Sequence, residues 1–119
     1  MSNLPFSNAT ALVIFSTQKQ LYKLLLAQLE KDFIFSRVEL NIRKNCSPKK
    51  LVETLQFEIK KLILNDFTGY LNLLYRIDVS EKEIRKTDAS NIDILSQQVC
   101  FLILKREWQK VWIRSNSGS

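Results

Sequence analysis

The chain has almost no residues that interrupt regular secondary structure. It contains two glycines and two prolines in 119 residues, and because Gly118 is in the C-terminal tail, Gly69 is the only internal glycine. A domain built from β-strands needs many tight turns, and turns that require a positive φ favour glycine. The sequence therefore predicts an all-α fold, a compact bundle of about four helices that are mainly antiparallel and joined by short polar loops.

Length and composition predict one helical domain over residues 1–119. A chain of this length can bury roughly 65% of the surface that its unfolded form exposes, which is enough for one core. Hydrophobic residues make up 45% of the chain and charged residues 25%, as is usual for globular proteins. Residues 1–10 and 115–119 are polar ends, and we expect both to be flexible.

N-cap signals and helical spacing predict where the helices begin. The best marked helix follows Ser47, a favourable N-cap with Pro48 at the first helical position, and should end near Asn65. Other candidate caps are Ser16 or Thr17, Asp66, Ser80, and Asp88 or Ser90. Residues 38–42 alternate between apolar and polar, which we interpret as an extended connection. Residues 11–15 and 99–104 are compatible with helix or with buried strand.

The segment after Asp66 predicts a helix with one buried face. The residues spaced for that face are Phe67, Tyr70, Leu71, Leu74 and Ile77. Arg76 and Asp78 interrupt this apolar segment. We expect them to form a structural ion pair near the end of the helix, which is a commoner arrangement than a catalytic pair.

The last helix, expected from about Asn91 to about Arg114, carries the most unusual pattern in the chain. Its first half is apolar on all sides, which is typical of a helix buried all round. Such a helix either lies at the centre of the bundle or is partly covered by a second copy of the chain. In the second half, the cations Arg106, Lys110 and Arg114 fall opposite the aromatic residues. Because rings and cations are segregated, we expect core or interface tryptophans and not a nucleic-acid stacking surface.

The leading functional prediction is a non-catalytic protein-interaction or oligomerising module. We expect a homodimer, or binding to another protein, through the apolar stripe of the last helix. The predicted interface consists of Phe101, Trp108, Val111 and Trp112. Tryptophan is enriched at the energetic centres of protein interfaces, and Trp112 is the better candidate because it lies at the edge of the stripe.

The alternative prediction is binding to nucleic acid or another polyanion. The formal net charge of +6 permits such a partner without requiring one. The candidate residues are Arg43, Lys44, Lys49 and Lys50 in the basic segment 37–50, with Arg106, Lys110 and Arg114 on the last helix. Two of these lysines lie in the first turn of a helix, where cations are mildly unfavourable and where phosphate can bind.

The residue types needed for most catalytic and metal sites are missing. The chain has no histidine, which removes the commonest general base and metal ligand. Two distant cysteines cannot form a thiolate metal site alone, and one internal glycine excludes the common phosphate-binding loops. Asp78, Glu81 and Glu83 are better explained by a helix N-terminus than by an acid–base site. We therefore predict no enzyme activity, no catalytic residue, no metal and no cofactor.

Cysteine content and hydropathy predict a cytoplasmic protein. Residues 1–20 have neither a basic start before the apolar stretch nor a clear cleavage site, so we expect no export signal. Cys46 and Cys100 are then expected to be reduced thiols. The longest apolar run, residues 99–104, is far shorter than the ~20 residues that cross a bilayer, so we predict no membrane span.

Overall fold

The computed structural model describes residues 8–116, and the regular structure within that range is helical throughout. The helices are α1 (Ala9–Gln18), α2 (Tyr22–Phe35), α3 (Pro48–Asn65), α4 (Phe67–Ile77), α5 (Glu81–Arg85) and α6 (Ile92–Ser115). No strand occurs among these residues, so residues 11–15 and 99–104 are helical. The all-α prediction is confirmed, with α5 as a short additional helix beside five longer ones.

Only part of the terminal segments that were predicted to be flexible is described. Residues 1–7 and 117–119 lie outside the described range. Within it, Ala9 and Thr10 belong to the first turn of α1, and Ser115 ends α6. The N-cap of α1 is Asn8, whose side chain accepts a hydrogen bond from the N–H of Ala11 at 2.8 Å. The helices therefore extend further toward both ends than the sequence predicted.

Three of the predicted N-caps are confirmed. The side-chain oxygens of Ser47, Asp66 and Ser80 each accept a hydrogen bond from the backbone N–H three residues later, at 3.2, 3.0 and 3.4 Å. A Cβ on Gly69 would lie 2.3 Å from a carboxylate oxygen of Asp66. Glycine at position 69 therefore makes room for the side chain that caps α4.

Two other predictions of N-caps are wrong, namely Ser16 or Thr17, and Asp88 or Ser90. Ser16 and Thr17 lie inside α1, where their hydroxyls donate to backbone carbonyls three residues earlier at 2.6 Å. The chain turns at Gln20, so α1 ends at Gln18 and α2 begins at Tyr22. At the start of α6, Asn91 is the cap, and its side chain accepts from two backbone N–H groups.

Three helices end in a left-handed residue that is not glycine. Gln20, Arg37 and Asp78 have φ values of 59°, 58° and 70°. In each case the N–H of the next residue bonds to the carbonyl five residues earlier, at 2.9, 3.0 and 3.0 Å, which is the Schellman arrangement. A Cβ in this region of φ/ψ space is unfavourable, so these helix ends carry backbone strain that glycine would relieve.

The central element is α6, which packs against each of the other five helices. Its buried apolar side chains are Val99, Cys100, Ile103, Leu104, Trp108 and Val111. All of them except Val111 join one cluster with the buried faces of α1, α2, α3 and α4. α6 is therefore central in the bundle, but it is not buried all round as its apolar pattern predicted, because Ile94 is 42% exposed and Phe101 and Leu102 are half-buried.

The segment between α2 and α3 is an extended connection, as its alternating pattern predicted. Val38, Leu40 and Ile42 are half-buried and pack against the core, whereas Glu39 and Asn41 between them are exposed. The connection therefore covers one side of the bundle without forming a strand.

Both cysteines are free thiols in different environments. Cys100 lies fully buried in α6, and burial raises the pKa of its thiol to about 12. Cys46 is half-buried at the end of the extended connection, where its carbonyl accepts a hydrogen bond from the Tyr22 hydroxyl at 2.6 Å. The two thiols thus lie at different depths.

Relief of the strain at Arg37 gives a first prediction. Arg37→Gly should raise the free energy of unfolding by about 1 kcal/mol relative to Arg37→Ala, because the two variants differ only in the Cβ that opposes positive φ. Chemical denaturation of both variants measures the difference. Equal stabilities would show that position 37 is not held in the left-handed conformation in solution.

Candidate functional site

The four residues predicted to form an interface have two different environments. Trp108 and Val111 are 1% and 2% exposed and belong to the chain's own core. The Trp108 ring packs edge-on against Phe15 at 5.6 Å between centroids. Phe101 and Trp112 are half-buried at the edge of the core. Trp108 and Val111 therefore present almost no surface to a partner in this fold.

The apolar surface of α6, on which the predicted homodimer depended, is largely buried within the chain itself. The expected surplus of apolar surface on α6 rested on three partner helices, but five helices pack against it. The chain itself covers most of the apolar surface of α6, and Ile94 and Ile113 are the large apolar residues of this helix that stay exposed. The apolar pattern of α6 consequently gives no support to a dimer.

The cations of α6 hold neighbouring helices and do not form a free solvated face. Lys110 Nζ lies 3.0 Å from Asp32 on α2, and Arg106 Nη2 lies 3.3 Å from Asp78 at the end of α4. The side chains of Lys110 and Arg106 are only 19% and 31% exposed. Arg114 is exposed and donates a hydrogen bond to Gln28. These contacts engage all three cations of the polyanion hypothesis that lie on α6.

The predicted ion pair between Arg76 and Asp78 is wrong. Arg76 Nε lies 3.4 Å from Asp32, and Asp78 pairs with Arg106. The left-handed φ of Asp78 turns the chain at this point, so the two side chains follow different directions. The Arg76 guanidinium also lies 4.4 Å from the centroid of the Phe35 ring.

The basic segment retains the four other cations of the polyanion hypothesis. Arg43, Lys44, Lys49 and Lys50 are exposed, and within residues 8–116 no ion pair involves them. Lys49 and Lys50 are in the first turn of α3, as predicted. These four residues are therefore the cations of the polyanion hypothesis that could still bind an anionic partner.

A buried polar cluster, which sequence reasoning missed, joins α2, α4 and α6. At its centre is Asp32, whose side chain is 3% exposed. One carboxylate oxygen accepts hydrogen bonds from Gln28 and Lys110, both at 3.0 Å, and the other faces Arg76. Burial raises the pKa of Asp32, but hydrogen bonds from Glu107, Gln28 and Lys110 outweigh it and hold the pKa below its usual value.

Burial favours the neutral form of Glu107, the second carboxyl group of the cluster, by raising its pKa. Glu107 is 0% exposed. Burial, followed by the hydrogen bond to the Asp32 carboxylate, raises the pKa of Glu107 to about 9. Neither oxygen accepts a hydrogen bond of normal geometry, although Lys110 Nζ lies 3.0 Å away. A protonated Glu107 that donates to Asp32 satisfies this environment better than a second anion would.

Two carboxyl groups with separated pKa values are an arrangement that acid–base enzymes use. Here the access needed for catalysis is missing, because Glu107 is fully buried and Asp32 is nearly so. The cluster therefore acts as a structural connection between helices. Its sequence signal was Glu107 in the apolar stripe, three residues after Leu104 and four before Val111.

Three large apolar side chains are exposed on the outer side of α4. Phe67, Leu71 and Tyr75, spaced four residues apart, are 55%, 49% and 89% exposed. We call these three residues the α4 surface. Tyr70 and Leu74 face the core as predicted, but the same prediction is wrong for Phe67 and Leu71. The sequence feature that could have predicted this exposure is that α4 has more large apolar residues than one helix face can hold.

A groove of about 700 Å³ runs beside the α4 surface, between α4 and α5. Its apolar lining comes from Leu71, Leu74, Tyr75, Val79 and Ile84. The charged side chains at its edge pair within the chain, since Arg85 lies 3.0 Å from Glu81, and Asp78 pairs with Arg106. The α4 surface and this groove can therefore receive an apolar partner without unpaired charges nearby.

Comparisons with protein-family models, curated proteins and solved structures find no match to this chain. Within residues 8–116, no group of three or more Cys, Asp or Glu side chains is arranged to hold a metal ion. In the same part of the chain, no helix has the length and hydrophobicity to cross a membrane. The functional proposal therefore depends on the surfaces described above.

The buried carboxyl pair predicts how stability depends on pH. A pKa of about 9 in the folded state, against 4.5 for an ordinary glutamate, means that the folded chain binds the Glu107 proton more tightly. The contribution of Glu107 to stability is thus complete below pH ~4.5 and is lost as the pH rises toward 9, by at most about 1.4 kcal/mol per pH unit. Glu107→Gln should remove this loss, because an amide stays neutral.

Urea denaturation of wild type and Glu107→Gln at several values between pH 5 and pH 9 tests this prediction. The variant should lose less stability than wild type over this range. Glu53→Gln on the exposed side of α3 controls for the change in net charge. Parallel pH profiles for wild type and Glu107→Gln would contradict a neutral Glu107.

Proposed function

We propose that this chain is a non-catalytic helical module that binds another protein, or a second copy of itself, through the α4 surface. The observation that supports the proposal is the exposure of Phe67, Leu71 and Tyr75 along one helix. Soluble proteins rarely leave several large apolar side chains together in water unless they form an interface. The proposed interaction surface therefore lies on α4, whereas the sequence predicted it on α6.

The composition of the α4 surface fits a binding role. Tyrosine is enriched among the residues that dominate interface energetics, and Tyr75, at 89% exposed, has almost no contact with its own chain. The opposite face of α4 packs in the core through Tyr70, Leu73 and Ile77. The α4 surface therefore belongs to a helix whose position is fixed by core contacts. A partner would meet a surface that is already ordered, which lowers the entropy cost of binding.

Photo-crosslinking tests this proposal. A photoreactive amino acid at position 75 should give an adduct of defined mass, either in the pure protein at high concentration or with one protein in an extract. The same amino acid at position 53 on α3 is the matched control. Leu71→Asp should weaken the adduct-forming interaction about tenfold or more, because it places a charge in an apolar contact.

The two possible partners give different results in this experiment. An adduct of twice the chain mass in the pure protein indicates self-association, and an adduct only in extract indicates another protein. Leu71→Asp should leave the melting curve nearly unchanged, since Leu71 is 49% exposed. Equal labelling from positions 75 and 53, or an adduct unaffected by Leu71→Asp, would contradict the proposal.

Polyanion binding is retained as a second candidate function, with a smaller site. Its support is that Arg43, Lys44, Lys49 and Lys50 are exposed and unpaired within the described range. Phosphate binding weakens steeply as salt rises, whereas binding through the α4 surface should persist. A salt titration therefore separates the two candidates.

A further inference from the structure

A second groove, of about 690 Å³, lies along α2. Seven of its lining residues are on α2 at intervals of one or three, and so form one stripe of the helix: Lys23, Leu26, Ala27, Glu30, Lys31, Ile34 and Phe35. The stripe extends for about 18 Å. Lys44 and Asn45 of the extended connection also line the groove. We call this feature the α2 groove, and it shares no lining residue with the groove beside α4.

The interior of the α2 groove is apolar. Leu26 lies at its base and is 2% exposed, whereas Ile34 and Phe35 are 71% and 60% exposed. Ala27 is exposed between them, and its small side chain leaves space above the helix. The groove thus offers a recess next to two large apolar side chains that the chain leaves in water.

The edge of the α2 groove is basic. Lys23, Lys31 and Lys44 are exposed, and Glu30 is the one acidic residue in the lining. Within residues 8–116 none of the three lysines has an ion-pair partner. The cations Arg106 and Lys110 of α6, in contrast, each have one. The fold therefore leaves positive charge uncompensated around an apolar recess.

We propose that the α2 groove binds an acidic amphipathic helix of another protein. Apolar side chains of that helix, three and four residues apart, enter the recess and contact Ile34 and Phe35, as in other helix-in-groove complexes. Aspartate and glutamate on its flanks pair with Lys23, Lys31 and Lys44. A helix of about 12 residues matches the length of the stripe.

The lining favours a peptide over single-stranded nucleic acid, which shares the same charge. Nucleic-acid grooves stack successive bases on aromatic rings. The α2 groove contains one aromatic residue, Phe35, and the Arg76 guanidinium already lies 4.4 Å from the centroid of that ring. A recess beside aliphatic side chains fits leucine or isoleucine better than a base.

The test uses synthetic peptides with the full chain. The first peptide is a helix of about 14 residues with leucine at helical spacing and glutamate on both flanks. A second peptide has lysine in place of each glutamate, and a third has serine in place of each leucine. Fluorescence anisotropy should detect binding of the first peptide and at least about tenfold weaker binding of the other two.

Variants of exposed residues locate the binding site with matched controls. Lys23→Glu combined with Lys31→Glu should weaken the acidic peptide about tenfold or more, whereas Lys49→Glu combined with Lys50→Glu changes net charge equally and should have little effect. Ile34→Ser should also weaken it, whereas Ile113→Ser, at a similarly exposed residue of α6, should not. Leu71→Asp should bind the peptide like wild type, which separates this proposal from the α4 surface.

Two further probes measure the competing ligands. A thymidine oligonucleotide and vesicles containing phosphatidylserine are titrated under the same conditions. Tighter binding of either probe than of the acidic peptide, with the same dependence on Lys23 and Lys31, would overturn the proposal. Equal binding of the three peptides, or equal effects of the two lysine pairs, would overturn it as well.

Discussion

The fold depends on the contacts of α6 with all the other helices. A long apolar stripe is unfavourable in water, and its burial requires several neighbouring helices. The chain supplies helices of very different length, from the five residues of α5 to the eighteen of α3. The extended connection after α2 covers a further part of the core.

Charged side chains on α6 also bind the neighbouring helices, in addition to its apolar contacts. Lys105, Arg106 and Lys110 pair with acids on α5, at the end of α4 and on α2. The deepest of these contacts lies at Asp32 and Glu107, where burial raises the pKa of Glu107 and so disfavours two buried anions side by side. Because breaking a buried charge pair costs more than the pair contributes, these contacts favour one arrangement of the helices over others.

Local signals predicted the parts of this structure that depend on neighbours in sequence. Ser47, Asp66 and Ser80 cap helices because a cap needs only the next three residues. Properties that depend on distant contacts were missed or misplaced. Helical spacing cannot reveal that Lys110 pairs with Asp32, which lies 78 residues away. The exposure of Tyr75 was likewise hidden, since spacing alone does not show which of two apolar faces finds a partner.

The depths of the two cysteines give the molecule a pair of internal reporters. A thiol reagent can reach Cys100 only after α6 separates from its neighbours, so its labelling rate measures opening of the whole bundle. Cys46 lies where the connection meets α3, and its labelling requires only that this segment detach from Tyr22. The ratio of the two rates distinguishes local fluctuation from global unfolding without an engineered cysteine.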